Sequence, residues 1–437
     1  MIKDLTLHNR DQQVIQAINE NNAELDAPAR KKKFAAMAES PYRFFRGTSH
    51  LFWQDMYNDW RFALFGGVAG TQTWIQGDAH VYNFGAFANH DGDVIYGLDD
   101  FDDAVVSDYQ YDLWRLAVSL VLDTRANGTF DESACTKALD ALVKGYLKTA
   151  TTYREDDLEK EVHYTADTAG KPLKKFLKKV AKKKDRVRML EKWTRLQKNG
   201  KRVFDATNPK LKRLSPVARK QFLQAFDAYC QERQQGSDDA FFRIKDVVRR
   251  ISAGTGSLGT LRFYALIEGG GASQTDDIIL DIKQQDGPSL LLAMSEAEQQ
   301  AYRRVYPNEG IRHQAAFRAL AEHPDRYLGW LELEGAVFSV RERSPFKDDF
   351  PTDKLDKKKH FLKMAGTWGE VLATEHKRAS RSVNPGAPFL FEKTLKQLTK
   401  DRESEFITLV SAIATHYSEC VAQDFQTFLD AFEPSTN

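Results

Sequence analysis

Cysteine is scarce in this chain: Cys135, Cys230 and Cys420 are the three in 437 residues. They stand far apart, with neither a disulfide framework nor the short spacing of a metal site, which fits a reducing compartment. Long apolar runs are missing as well. No stretch approaches the roughly eighteen apolar residues of a membrane-spanning helix, and Met1-Ile2-Lys3-Asp4-Leu5 has no basic segment leading into an apolar one. The expectation is a cytoplasmic protein with no membrane partner. A charge excess is absent too: 63 Lys and Arg stand against 62 Asp and Glu, so no global polyelectrolyte signal points to nucleic acid. There is no Gly-Lys-Ser/Thr of a Walker loop. His80 has no second His or Cys at ligand spacing, which leaves zinc without support.

What is present is a globular composition, 42% hydrophobic and 29% charged, long enough for two or three domains. Its charge is uneven. Lys171 to Arg213 is basic, with Lys182-Lys183-Lys184, while Asp91 to Asp112 is acidic. Periodicity predicts polar helix over 11–40 and a helix from Ser49 to Phe65. Thr73-Trp74-Ile75 and Asp93 to Leu98 read as strands. Asp112 opens an amphipathic helix with Leu113, Leu116, Ala117, Leu120 and Val121 as its stripe. Residues 151–240 read as helical and basic. Then the period changes to that of strands: Val247 to Ile251, Thr260 to Ile267, Ile278 to Lys283, Tyr327 to Leu333 and Ala336 to Arg341, with a helix near Gly310 to Glu322. After Pro351 the chain is helical, and Val410, Ile413, Tyr417, Val421, Phe425 and Phe428 form the last apolar stripe.

Two short stretches carry chemistry. Gly77-Asp78-Ala79-His80-Val81-Tyr82-Asn83 sets a carboxylate five residues before a carboxamide. Asp99-Asp100-Phe101-Asp102-Asp103 follows about twenty residues later. Phosphoryl transfer from a metal-bound nucleotide needs one Asp at the acceptor hydroxyl, an Asn on metal and a second Asp between metal and phosphate. A third stretch supplies the nucleotide's side. Gly254-Thr255-Gly256-Ser257-Leu258-Gly259 fits G-x-G-x-x-G. A dinucleotide fold requires a helix after that loop, but Thr260 to Ile267 alternates with period two. Strand, glycine loop, strand, turn and strand with a lysine, here Lys283, is the order of a protein-kinase N-lobe.

The two halves stand in the reverse of their usual order, and circular permutation reconciles them. The expected fold is α+β: a circularly permuted protein-kinase-like (aminoglycoside-phosphotransferase-like) chain with a small antiparallel sheet on a mostly helical lobe. Residues 1–150 would hold the catalytic and metal-binding loops, 151–240 a basic helical insertion, 241–345 the N-lobe, and 346–437 helices completing the helical lobe.

The Gly77–Asn83 motif resembles the loop of aminoglycoside and choline phosphotransferases, with Gln76 where they carry His, and Asp100-Phe101-Asp102-Asp103-Ala104 with Asp112-Leu113 is similar to their second acidic element. The chain over residues 40–380 also resembles a bacterial family, domain of unknown function 2252. That likeness rests on Phe45-Arg46-Gly47, Gly77-Asp78-Ala79-His80, Asn83-Phe84-Gly85, Asp100 to Asp103, Asp112-Leu113-Trp114-Arg115-Leu116, the glycine loop, Lys283, and Arg341 before Lys347. The resemblance implies ATP and Mg2+ as cofactors. It makes Asp78 the catalytic Asp and Asn83 and Asp100 catalytic metal holders with Asp102 beside them. It assigns Gly254, Gly256, Ser257, Gly259 and Lys283 to the nucleotide. Glu296, Glu298 and Glu309 are candidates for the carboxylate that pairs Lys283. The function expected is phosphoryl transfer to an unknown small-molecule or protein hydroxyl. Three alternatives share these features: AMP transfer, a nucleotide-binding pseudokinase, and a nucleic-acid-binding protein using the basic helices, the last the least expected.

Overall fold

The helix Gln110–Asn127 is buried on every side, from Leu113 and Trp114 to Val121 and Leu122, where the sequence predicts one apolar stripe. A helix buried on all sides belongs at the centre of a helical body, and its polar residues Asp112 and Arg115 are buried with it. Gly128 ends it with a φ of 63°, the left-handed cap that glycine adopts without strain. The computed structural model describes residues 9–89, 92–154, 162–234, 243–251, 260–270, 275–321, 324 and 326–432. Glu132–Thr151 and Glu403–Phe432 pack against the central helix, and Lys358–Val383 packs on Glu132–Thr151. The last helix buries Val410, Ile413, Tyr417, Val421 and Phe428 and half-buries Phe425. Among the described residues, no helix is long and apolar enough to cross a membrane.

Glu132–Thr151 and Lys358–Val383 meet backbone to backbone. A Cβ on Gly145 would lie 2.4 Å from the Gly366 carbonyl oxygen, and one on Gly369 only 2.1 Å from that of Leu142. No larger residue fits either position without moving a helix. Elsewhere Arg10 forks between Asp55 and Asp424, at 2.7 and 2.6 Å, and ties the helix Arg10–Asn21 to the body.

The architecture is α+β, mostly helical with small antiparallel sheets. Two of these sheets hold the acidic loops. Gln72–Ile75 pairs with Val105–Asp108, and Phe84–Ala88 pairs with both Val94–Leu98 and Asp348–Asp349. The largest sheet has six strands in the order Gly329–Leu333, Ala336–Glu342, Ile278–Gln284, Arg262–Ile267, Ile244–Arg250, Leu211–Arg213. Its alternation sorts residues onto two faces. Phe263, Ala265, Ile267, Leu280 and Ile282 pack with Phe222, Phe226 and Tyr229 of the helix Pro216–Gln234. Tyr264, Leu266 and Ile279 face Met189, Leu190 and Trp193.

Four expectations need correction. The polar helix over 11–40 is two helices, Arg10–Asn21 and Ala27–Met37, the second opened by the Asp26 carboxylate, which accepts from the Ala29 N–H. The helix from Ser49 ends at Met56. Asn58 turns the chain with a φ of 59°, and a short 3₁₀ helix, Trp60–Leu64, follows. Among its described residues the segment 151–240 contains three short strands, Thr194–Leu196, Arg202–Phe204 and Leu211–Arg213, and the last extends the six-stranded sheet. Between the sheet strands lie two helices, Glu296–Val305 and Glu309–Leu320, where one is expected.

Candidate active site

The two acidic loops are clamped at both ends. Ile75 pairs with Val105 and Phe84 pairs with Leu98, so residues 76–83 and 99–104 leave the same strand ends and face each other. Asp112, inside the central helix, fixes the first loop. Its carboxylate accepts from the backbone N–H groups of Gln76 (2.6 Å) and Gly77 (2.9 Å). His376 Nε2 lies 3.1 Å from the same carboxylate, and its Nδ1 lies 2.8 Å from the Tyr146 hydroxyl. His376 is fully buried and acts as a support. Gln76 Nε2 donates to the Asp100 carbonyl at 2.7 Å and joins the two loops. Gly77 takes a φ of +83°, and a Cβ there would lie 2.1 Å from the Asp103 carbonyl oxygen. Only glycine fits.

The large sheet supplies the facing wall. Lys283 is opposite Arg262 and Ser339, and Asp281 is opposite Tyr264 and Arg341. Arg262, Asp281, Lys283, Ser339 and Arg341 therefore share one sheet face, the continuation of the Tyr264–Ile279 face. Together with Asp78, His80, Asn83, Asp99 to Asp103, Arg46, His313 and Lys347 they line a cavity of about 240 Å³. Arg312 joins the walls by donating to the carbonyls of Ala104 (2.9 Å) and Asp286 (3.2 Å).

Five sequence-predicted residues thus line one cavity: Asp78, Asn83, Asp100, Asp102 and Lys283. Gly254, Gly256, Ser257 and Gly259 lie outside the described residues. Lys283 pairs with Asp102. None of the three candidate glutamates serves it. Glu309 is taken by Arg312 and the Tyr302 hydroxyl, and Glu298 by Ser295 and the Tyr57 hydroxyl, while Glu296 stands at the first turn of its own helix. Asp55 is also away from the cavity, held by Arg10. Asn83 closes its own loop: its Oδ1 accepts from the His80 N–H at 2.9 Å. One lone pair of that oxygen remains for another donor or a cation.

The electrostatics separate the carboxylates by role. Burial raises the Asp78 carboxyl to about 6, and Arg115 opposes the rise. Arg115 is wholly buried, donates from Nε to Asp78 Oδ1 at 2.7 Å, and lies 4.2 Å from the Phe45 ring centre. Asp100 opens onto the cavity, yet crowding by protein and the charge of Asp102 raise its pKa. Burial pushes Asp102 the same way, but the charge and hydrogen bond of Lys283 overcome it and hold Asp102 well below the usual range. Burial opposes the charge on Lys283, and Asp102 and Asp100 more than restore it. His80 and His313 are kept neutral by burial, His313 at about 3. Lys347 Nζ lies 2.9 Å from Asp99, and Arg262 pairs with Asp281.

Sequence reasoning missed Arg115, Arg262, Asp281, Gln285 and His313. Gln285 donates to Asp102 Oδ1 at 3.0 Å. The alternation Asp281-Ile282-Lys283-Gln284-Gln285 does place Asp281, Lys283 and Gln285 on one strand face, and that signal was available. Arg115 and His313 sit in helices whose apolar neighbours give no such sign.

No curated protein and no solved structure matches the chain. A family model described as "Uncharacterized protein conserved in bacteria (DUF2252)" matches residues 26–431.

Proposed function

The chain belongs to that bacterial family, and from its cavity we propose an ATP- and Mg2+-dependent phosphotransferase on a circularly permuted, protein-kinase-like fold. One observation carries the reading. Asp78, Asn83, Asp100 and Asp102 share a single cavity with Lys283, about two hundred residues away in the chain. Supporting it, the three strands Ile244–Arg250, Arg262–Ile267 and Ile278–Gln284 run antiparallel in sequence order, with Lys283 on the third.

The donor set suits magnesium. Asp100, Asp102 and Asn83 offer hard oxygens, the ligands this ion takes beside substrate phosphates. Among the described residues no group of three or more His, Cys, Asp or Glu is arranged to hold a metal alone. When bound, the ion would neutralise charge on the phosphates. Lys283 adds a point charge there. Asp78 orients the acceptor hydroxyl and takes its proton. The acceptor oxygen bonds to the γ-phosphorus as the bond to the bridging oxygen breaks and the nucleoside diphosphate leaves. With a pKa of about 6, Asp78 is ionised near neutrality and close enough to it to serve as a base.

A second reading has its own observation. The Lys283–Asp102 pair occupies both groups, as in a nucleotide sensor without turnover. The deciding experiment is a nucleotide thermal-shift panel with and without Mg2+, beside ATP consumption with candidate acceptors. Asp100→Ala should abolish Mg2+-dependent stabilisation, and Lys283→Ala should weaken nucleotide binding. Parent-like binding by both variants would remove the site assignment. Good binding by the parent with no turnover on any acceptor would favour the sensor.

A further inference from the structure

Most cations of the cavity wall have a carboxylate: Lys283 has Asp102, Lys347 has Asp99 and Arg262 has Asp281. Arg341 lies 4.4 Å from the Phe317 ring centre and donates to the Asp99 carbonyl at 3.4 Å. Arg46 differs from all of these. It is half-buried on the last turn of the helix Pro41–Gly47, it lines the cavity, and among the described residues it has no hydrogen bond and no ion pair. Its charge reaches Asp78, His80 and Asp349, which places it on the Asp78 side of the cavity. Asp78 Oδ1 already belongs to Arg115.

The fold holds Arg46 there. Phe44 and Phe45, the two residues before it, are buried, and a Cβ on Gly47 would lie 2.6 Å from the Met37 side chain. Tyr42, four residues earlier, shares the helix face of Arg46. Its hydroxyl is buried without a partner, and its ring lies 5.6 Å from that of Tyr82 and 6.4 Å from that of His80. His80 lines the cavity, is 1% exposed, and its Nδ1 has no partner. Buried polar groups ordinarily find partners, and each exception calls for an explanation. A guanidinium with a free fork in the same cavity lining as His80 matches the planar geometry of a carboxylate or phosphate.

We propose that Arg46, with His80, forms an oxyanion subsite beside Asp78, and that the acceptor is a small hydroxyl compound bearing a carboxylate or a phosphate. The word acceptor rests on the phosphotransferase reading; the oxyanion subsite does not. Arg46 holds the anionic end so that the hydroxyl end meets Asp78.

The test is calorimetric titration of glycerate and of glycerol 3-phosphate into the full chain, each with and without saturating Mg2+–ADP. Parent, Arg46→Gln and Arg46→Lys are compared, with melting curves to show that each is folded. The parent should bind one or both probes; glycerate alone identifies a carboxylate, glycerol 3-phosphate alone a phosphate. Arg46→Gln should weaken that binding by about ten- to a hundredfold, the effect of losing hydrogen bonds to a charged group. Arg46→Lys, which keeps charge but loses the fork, should fall between. No binding of either probe to the parent, or equal binding by folded Arg46→Gln, overturns the proposal. So does a variant that weakens ATP against ADP about tenfold with the probes unaffected, since Arg46 would then serve the nucleotide. Probe binding that depends on Arg46 in a protein that binds no nucleotide upholds the subsite and removes the phosphotransferase reading instead.

Discussion

Replacing Asp78 in two ways should give opposite effects on stability. The carboxyl rises from 3.8 to about 6 in the folded protein, and its side chain is only 23% exposed. A group whose folded pKa is raised contributes stability below the unfolded value and loses it as pH climbs through the folded one. The parent therefore loses up to ~3 kcal/mol between about pH 4 and 6 on account of this residue. Asp78→Asn removes that dependence, and its carboxamide oxygen still accepts from Arg115. It should match the parent at pH 4 and exceed it by up to ~3 kcal/mol at pH 8. Asp78→Ala leaves the fully buried Arg115 without either oxygen. Breaking a buried pair by removing one partner costs about 3–5 kcal/mol, so this variant should be less stable than the parent at pH 8. Denaturant titrations at pH 4, 6 and 8 read both effects, and turnover should fall in both variants by about a hundred- to ten-thousandfold. Equal destabilisation of the two variants at pH 8, or an Asn–parent difference independent of pH, would refute the claim that burial rather than Arg115 governs Asp78.

Other outcomes follow from single contacts. Gly77→Ala forces a Cβ against the Asp103 carbonyl at a φ of +83°; it should cost at least about 1–3 kcal/mol in a denaturation assay and lower turnover by displacing Asp78. Glu375, buried and accepting from the Leu98 N–H at 2.9 Å, is pushed by burial from 4.5 up to about 8. Its contribution is full below about pH 4.5 and lost as pH rises through 8, so Glu375→Gln should melt above the parent at pH 8.5 and close to it at pH 5.

The strands of the large sheet were legible because each is a run of five to seven residues rich in β-branched and aromatic side chains, as Arg262–Ile267 is, with both faces covered. Leu211–Arg213 was not, because three residues carry no period. The break at Met56 depends on a left-handed Asn58 that Ser49 to Phe65, read as one apolar stripe, conceals. At the site, the acidic loops announced themselves by residue type. The partner of Lys283 did not. It is Asp102 from a distant loop, and the choice rests on a register that brings Lys283 over residues 99–104 rather than on any spacing in the chain. Arg115 was hidden for a related reason: its neighbours Trp114 and Leu116 belong to the core, and a charge in such company reveals itself only through the carboxylate it meets.

The glycine contacts between Glu132–Thr151 and Lys358–Val383 have a mechanical consequence. With Gly145 against Gly366 and Gly369 against Leu142, no layer of side chains separates the two backbones, so nothing between them can reorient and let one slide. From this doubled beam His376 reaches Asp112, and Asp112 carries the Gln76–Gly77 turn. Asp78 therefore stands on an anvil. Lys283, by contrast, belongs to the large sheet, so the two sides of the cavity are carried by different supports.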